Sequence, residues 1–295
     1  MTRSAEPTCT VVVPNLHSAI VGQTIASVLG QTLPKERFHV VVVGQDRYGI
    51  VRSFPQVDFV ETSTPVSPSV ARNLGASRSS AEVVAFIDSD CIAAADWLEI
   101  LESRFRDQGV QVVGGGVSIP RASYFSMADN LALFHEFLAS SPGGQRTHLP
   151  GLNLAVRLST FRESGGFDET YPNASGEDTE FTVRLREHGH ELVFEPRAVV
   201  VHHSRRHRLS ELIARGLLQG RFSIKVDARY LRSRESLPRF LHHKGVLLLL
   251  SPLLGLAATC RIYAKNRSTW RYWRLFPAVA VSRVAWGLGA ASALH

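Results

Sequence analysis

Apolar residues in the first half of this chain gather in short runs, at 9–14, 39–43, 57–61, 83–87 and 110–117, each of which predicts a strand. The run 83–87 is unbroken by any polar residue, which predicts a strand buried on both faces. Longer-period stretches separate them. Ile20, Ile25, Val28 and Leu29 share one face of a predicted helix over 18–30, Pro68 sits well for the first turn of another, and 96–108 reads as a third. Pro14 is expected to stop the first strand. Strand–helix alternation of this kind predicts an α/β fold with a mostly parallel central sheet.

The second half is less regular. A helix is expected over 122–139, a loop at 140–145, a strand over 149–156 and a helix over 178–188. One or two strands are expected over 191–202, around Pro196. Residues 209–230 form an amphipathic pattern, with Leu209, Leu212, Ile213, Leu217 and Phe222 on one side and basic residues around the rest. Residues 245–260 and 275–294 are then almost wholly apolar, interrupted by Pro252 in the first and Arg283 in the second. The second run is near the length of a membrane span.

Charge narrows the choice of partner. The 295-residue chain carries a net charge of +7, and the basic excess lies after Arg197. An anionic partner is implied: a nucleotide diphosphate, an acidic membrane surface or nucleic acid. The basic excess lies beside apolar helices and no nucleic-acid-binding motif occurs, so no nucleic acid partner is expected. Two simple spans would put Arg261, Lys265, Arg267, Arg271 and Arg274 on the far side, against the positive-inside tendency. A monotopic or re-entrant attachment keeps them at the cytosolic interface. Cys9, Cys91 and Cys260 are odd in number and far apart, which implies a reducing compartment. Residues 1–7 lack the apolar core of a signal peptide.

Candidate chemistry gathers around the run 83–87. Asp88 and Asp90 stand at its C-terminal end, where ligands bind in open α/β sheets. Two acids one residue apart can hold a hard divalent cation, which can in turn hold a diphosphate. Taken alone, the pair reads as readily as a solvated turn. Arg72, near a helix start, offers a planar donor to phosphates, and Glu177 and Asp178 could simply charge a helix N-terminus.

Four pieces occur in order: Pro14-Asn at the first strand end, Ser69-Val-Ala-Arg-Asn-Leu-Gly75, Asp88-Ser-Asp90, and Gly165-Gly-Phe-Asp168 followed by Gly176-Glu-Asp178. In this order and spacing the chain resembles the family 2 inverting glycosyltransferases of the GT-A fold, over residues 8–225. The resemblance implies transfer of one sugar from a nucleotide-diphosphate donor to an acceptor hydroxyl, and the expected membrane attachment suggests a lipid-linked or polysaccharide acceptor. It implies Asp178 as general base with Glu177 beside it, and nucleotide contacts at Pro14, Gln45, Asp46, Arg72 and Asp88. It further implies a donor-sugar or acceptor pocket at Gly151 and Asn153, and a Mg²⁺ or Mn²⁺ ion at Asp90, Asp88 and His202.

The second strand departs from the family pattern. It ends Val43-Gly-Gln-Asp46, so Gln45 stands where an acid usually reads the base, and the base is left open. Leu218-Gln-Gly-Arg-Phe222 is one residue short of the element of processive synthases, which implies single-sugar transfer. A nucleotidyltransferase and a non-catalytic sugar-nucleotide-binding or scaffold protein are the alternatives. The first usually needs a Gly-rich, cationic first loop, which Pro14-Asn-Leu-His-Ser18 lacks, and the second fits poorly with Asp88, Asp90, Glu177 and Asp178 all present. The expected organisation is a catalytic domain over 8–230 and a membrane-associated helical region over 231–295, at the cytoplasmic face of the cell membrane.

Overall fold

The structure, a computed structural model, describes residues 8–230 and 239–294. The leader reading at 1–7 and the start of the expected helical region at 231–238 fall outside the described residues. The chain divides into two compact units. One comprises residues up to Ser118 with Pro142–His202, and the other Ile119–Ser141 with His203 onward.

The first unit is an α/β layer built on a mixed sheet. Its strands are β1 (Cys9–Leu16), β2 (Phe38–Gln45), β3 (Asp58–Glu61), β4 (Val83–Ile87), β5 (Cys91–Ala93), β6 (Val112–Ser118), β7 (Gly144–Gln145), β8 (Asn153–Arg157) and β9 (Leu192–His202). The order is β3-β2-β1-β4-β8-β6-β9-β5, with β7 on β9. The sequence-predicted parallel sheet is present from β3 to β4, where β1 pairs parallel with both β2 and β4. Beyond β4 it turns mixed: β8 runs antiparallel to β4 and β6, while β6 and β9 are parallel.

The apolar runs form strands because both faces are covered. All five residues of β4 are buried. Phe86 meets Phe161 and Phe167 at ring-centroid distances of 5.6 and 5.3 Å, and Phe167 stacks on Phe181 at 4.4 Å. Each such pair adds ~0.5–1.5 kcal/mol beyond the area it buries. The helices of this unit are α1 (Val21–Leu29), α2 (Pro68–Ser77), α3 (Trp97–Arg104), α5 (Leu158–Glu163) and α6 (Glu177–Glu187). Ser67 caps α2, its Oγ accepting from the Val70 N–H at 3.4 Å, and Pro68 fills the first turn as expected.

Three details differ from the sequence reading. Pro14 does not end β1, which runs on to Leu16 against β2. Pairing with β4 stops at Val12, so one side of β1 is open beyond it and a missing N–H there breaks no ladder. Of the one or two strands expected around Pro196 the structure forms one, and what the sequence reading lacked is its bulge: opposite Gly115 and Gly116, β9 inserts Pro196, Arg197 and Ala198 between Glu195 and Val199. The short strand β5 was not foreseen.

The second unit is helical: α4 (Tyr124–Phe134), α7 (Leu209–Tyr230), α8 (Lys244–Lys265) and α9 (Phe276–Ser292). Its core gathers Leu131 from α4, Leu212 from α7, Ile262 from α8 and Val279 from α9. α7 and α9 approach closely at Gly220, where a Cβ would lie 1.8 Å from the Trp286 carbonyl oxygen. The two apolar runs form helices. Lys244–Lys265, with mean hydropathy 1.8, and Arg267–Ser292, with 1.3, are long and apolar enough to cross a membrane. Only 28% of the first window is buried, and Leu248, Leu249, Leu253 and Leu256 stand exposed along α8.

Candidate active site

The site forms where β4 ends and the N-terminus of α6 begins, joined by one arginine. Arg72, on the first turns of α2, is 2% exposed. Its Nη2 donates to Asp88 Oδ1 at 2.7 Å and its Nη1 to Glu177 Oε1 at 3.0 Å. The guanidinium also stands over the Phe167 ring, 5.2 Å from its centroid. Burial would lower its pKa, but Asp88, Glu177 and Asp178 outweigh that and raise it, so the cation is permanent.

Glu177 is nearly fully buried, and only one of its oxygens is bonded; Oε2 has no hydrogen-bond partner. Burial, and then the charge of Asp178, push its carboxyl up to about 7 against the pull of Arg72. Asp178 is half-buried. Its Oδ2 accepts from the Gly151 N–H at 2.9 Å, and its Oδ1 accepts from the Thr179 N–H at 2.7 Å. Gly151 allows this approach, since a Cβ there would lie 3.1 Å from Asp178 Cβ and 3.2 Å from Arg72 Cζ.

Asp90 and His202 meet because β5 pairs with the end of β9, setting Cys91 opposite His202. His202 Nε2 lies 3.7 Å from Asp90 Oδ1. Asp88 turns one oxygen to Arg72 instead. Among the described residues no group of three His, Cys, Asp or Glu side chains is placed to hold a metal. Asp90 supplies the carboxylate oxygen that Mn²⁺ or Mg²⁺ prefers when substrate phosphates complete the shell, with the His202 imidazole beside it. The donor set therefore fits such an ion with one or two protein carboxylates.

The remaining sequence candidates take varied places. Asn153 is fully buried. Its Nδ2 donates to the carbonyls of Gly116 and Ala198 and its Oδ1 accepts from Trp97 Nε1, so its amide fastens the β9 bulge to β6. Pro14 is half-buried near the end of β1. Gln45 donates its amide to the Thr62 carbonyl at 3.2 Å. Asp46 accepts from the Val51 and Tyr48 N–H groups at 2.6 and 3.3 Å and so closes its own turn.

Several positioning residues escaped the sequence reading. Ser18 Oγ donates to the Ser89 carbonyl at 2.8 Å and pins the acidic turn to the end of β1. Asn15 Nδ2 donates to the Gln45 carbonyl at 2.9 Å. Asn73 donates to the Phe167 carbonyl and accepts its N–H, both at 2.9 Å, which ties α2 to the Gly-Gly-Phe segment. Only their place inside the quoted motifs signals them.

Known proteins resemble this chain in sequence and in fold. Residues 10–165 match the sequence model of the family described as Glycosyl transferase family 2. The chain is similar to a pre-mycofactocin glycosyltransferase of Mycobacterium tuberculosis, 33% identical over 169 residues that cover 55% of this chain and 35% of that protein. It is also similar to glycosyltransferase AglE of Haloferax volcanii, 27% identical over 76% of this chain and 75% of that one. Thus the chain spans about a third of the length of the first relative and three quarters of the second. Among solved structures, a Pyrobaculum calidifontis mannosyltransferase in complex with GDP-Man and Mn²⁺ superimposes with a TM-score of 0.61 at 18% identity, covering 94% of this chain and 86% of that chain. GalNAc-T7 with UDP, GalNAc and Mn²⁺ superimposes with a TM-score of 0.58 at 16% identity, over 76% of this chain and 48% of that one. These likenesses establish the fold as GT-A-like.

Proposed function

Since the chain belongs to glycosyl transferase family 2, we propose that it transfers a single sugar, with inversion, from a nucleotide-diphosphate donor to a hydroxyl of a lipid-linked or polysaccharide acceptor. The observation that carries this reading is the double ion pair of Arg72 with Asp88 and Glu177, which sets the acidic turn after β4 beside the first turn of α6. Diphosphate departure and acceptor deprotonation need groups on two such neighbouring walls.

In the reaction, the acceptor oxygen attacks the anomeric carbon while the bond from that carbon to the diphosphate breaks. Asp178 takes the acceptor proton. The Gly151 and Thr179 N–H groups fix both of its oxygens, so the carboxylate needs little reorganisation. Arg72 holds Asp88 on one wall and Glu177 on the other. Asp90 with His202 would hold a Mg²⁺ or Mn²⁺ ion, with Asp88 contributing through the oxygen that Arg72 leaves free, and the ion when bound would offset charge on the diphosphate. Gln45 and Asp46 lie at the end of β2, where the nucleotide base is proposed to bind; Gly151 lines the donor-sugar or acceptor side, and Asn153 fastens the sheet behind it through Gly116 and Ala198.

We place the protein at the cytoplasmic face of the cell membrane, attached through α8, α9 and the Trp/Arg-rich segment between them, where Trp270 and Trp273 are 65% and 64% exposed. Protease access to 262–274 only from the far side would reject a monotopic or re-entrant attachment. The proposed catalytic domain is 8–230 and the proposed attachment region 231–295.

The test of activity is a donor screen over UDP-, GDP- and dTDP-sugars with Mn²⁺, Mg²⁺ or EDTA. Release of nucleoside diphosphate together with a singly glycosylated product supports the reading. Release of pyrophosphate would identify a nucleotidyltransferase, and long polymer would reject single transfer.

A further inference from the structure

The helical unit contains a cleft that the proposed transfer reaction does not use. It has a volume of about 210 Å³ and is lined by His135, Glu136, Ala258, Arg261, Ile262, Lys265 and Arg283. Three basic side chains, Arg261, Lys265 and Arg283, thus face one carboxylate, and Lys265 Nζ is 3.8 Å from Glu136 Oε1. Arg261 makes no hydrogen bond or ion pair among the described residues. Cations at the end of α8 suit a helix C-terminus, which accounts for Lys265 without any ligand.

Arg283 has no such explanation. It lies in the middle of α9, among apolar residues, in a segment apolar enough to cross a membrane. Its Nη2 donates to the Ala132 carbonyl and lies 3.4 Å from His135 Nδ1, while its Nε is buried without a hydrogen-bond partner. Arginine in such a segment is costly and marks a site with an anionic or carbonyl partner. Its planar fork suits phosphate. By the ~30 Å³ that a water occupies, the cleft has room for a phosphate group.

We propose that this cleft binds a phosphate group, which in the attached protein is that of an anionic lipid headgroup. The lipid source rests on the membrane attachment proposed above; the phosphate chemistry does not. α8 and α9 would lie in the apolar layer, with Arg261 and Lys265 reaching the headgroup from one helix and Arg283 from the other.

The test uses the full chain and vesicles of phosphatidylcholine alone or mixed with phosphatidylglycerol, with a melting scan in inorganic phosphate as a second arm. Arg261→Gln is compared with Arg271→Gln, which removes the same charge outside the cleft, and Arg283→Lys keeps the charge but loses the fork. Each cleft variant should bind mixed vesicles about fivefold more weakly than its control, the ~1 kcal/mol net of one hydrogen bond to the phosphate that the control retains. The control for Arg283→Lys is the wild type. Equal binding by Arg261→Gln and Arg271→Gln, with Arg283→Lys at the wild-type level, overturns the cleft. If Arg283→Lys does not fold, the Arg261 and Arg271 comparison decides. If the wild type binds no vesicle, the attachment reading fails. The melting arm then decides: a rise with phosphate that Arg261→Gln abolishes supports a free-phosphate site, and no rise overturns the proposal.

Discussion

Asp178 Oδ2 accepts the backbone N–H of Gly151 at 2.9 Å, so a strand-entry loop and a helix N-terminus jointly aim one carboxylate. Asp178→Asn keeps size and packing but removes the base. Transfer should fall ~10²–10⁴-fold, with donor affinity measured by calorimetry unchanged. Near-normal turnover would move the base elsewhere.

The same contact makes Gly151 a sensitive position. In Gly151→Ala the new methyl must push Asp178 or Arg72 aside, because both lie closer than ordinary contact distance. A stability loss of ~1–3 kcal/mol is expected. Turnover should fall by about tenfold or more, since sub-ångström displacement of a reacting group is expensive. Steady-state kinetics beside a thermal melt separates the two effects.

Glu177 predicts an unusual pH profile. Its carboxyl titrates at about 7 in the folded chain, above its ordinary 4.5. The folded state therefore binds this proton more tightly than the unfolded state, and the group's stabilising contribution is complete below pH 4.5 and is lost as pH rises to about 7. Most native carboxylates act in the opposite sense. Glu177→Gln should lose less stability than wild type over this window when both are followed by denaturant titration. Parallel curves would reject the assignment.

Much of this arrangement was readable before any coordinates. Strands buried on both faces leave unbroken apolar runs, so β1, β2 and β4 stand out, and Ser67-Pro68 announces α2. What escaped is what pairing decides. β5 is three residues long and is a strand only because β9 lies beside it. Arg72 reads as a donor to phosphates, whereas both of its Nη atoms are taken by Asp88 and Glu177, which arrive from distant parts of the chain. Asn153 sits in a motif that suggests a ligand contact, yet its amide is bonded within the sheet. Asp46 reads as a free acid for the base, whereas its carboxylate closes a local turn.

The Asp90–His202 pair yields a prediction about metal. Asp90→Ala and His202→Ala should each lower donor affinity in Mn²⁺ at least tenfold, ~1.4 kcal/mol, and leave affinity in EDTA at the wild-type level. Variants that bind donor as tightly as wild type in Mn²⁺ would remove both residues from the diphosphate site.

The bulge at Pro196–Ala198 also acts as a spacer for chemistry. Side chains along a strand alternate between faces, and the three extra residues set the phase with which β9 re-enters its pairing with β6 and reaches His202. Deleting one of them would leave the apolar run, the acidic turn and the histidine all present in the sequence. The imidazole would then face the other side of the sheet, and Asp90 would lose its neighbour without itself being changed.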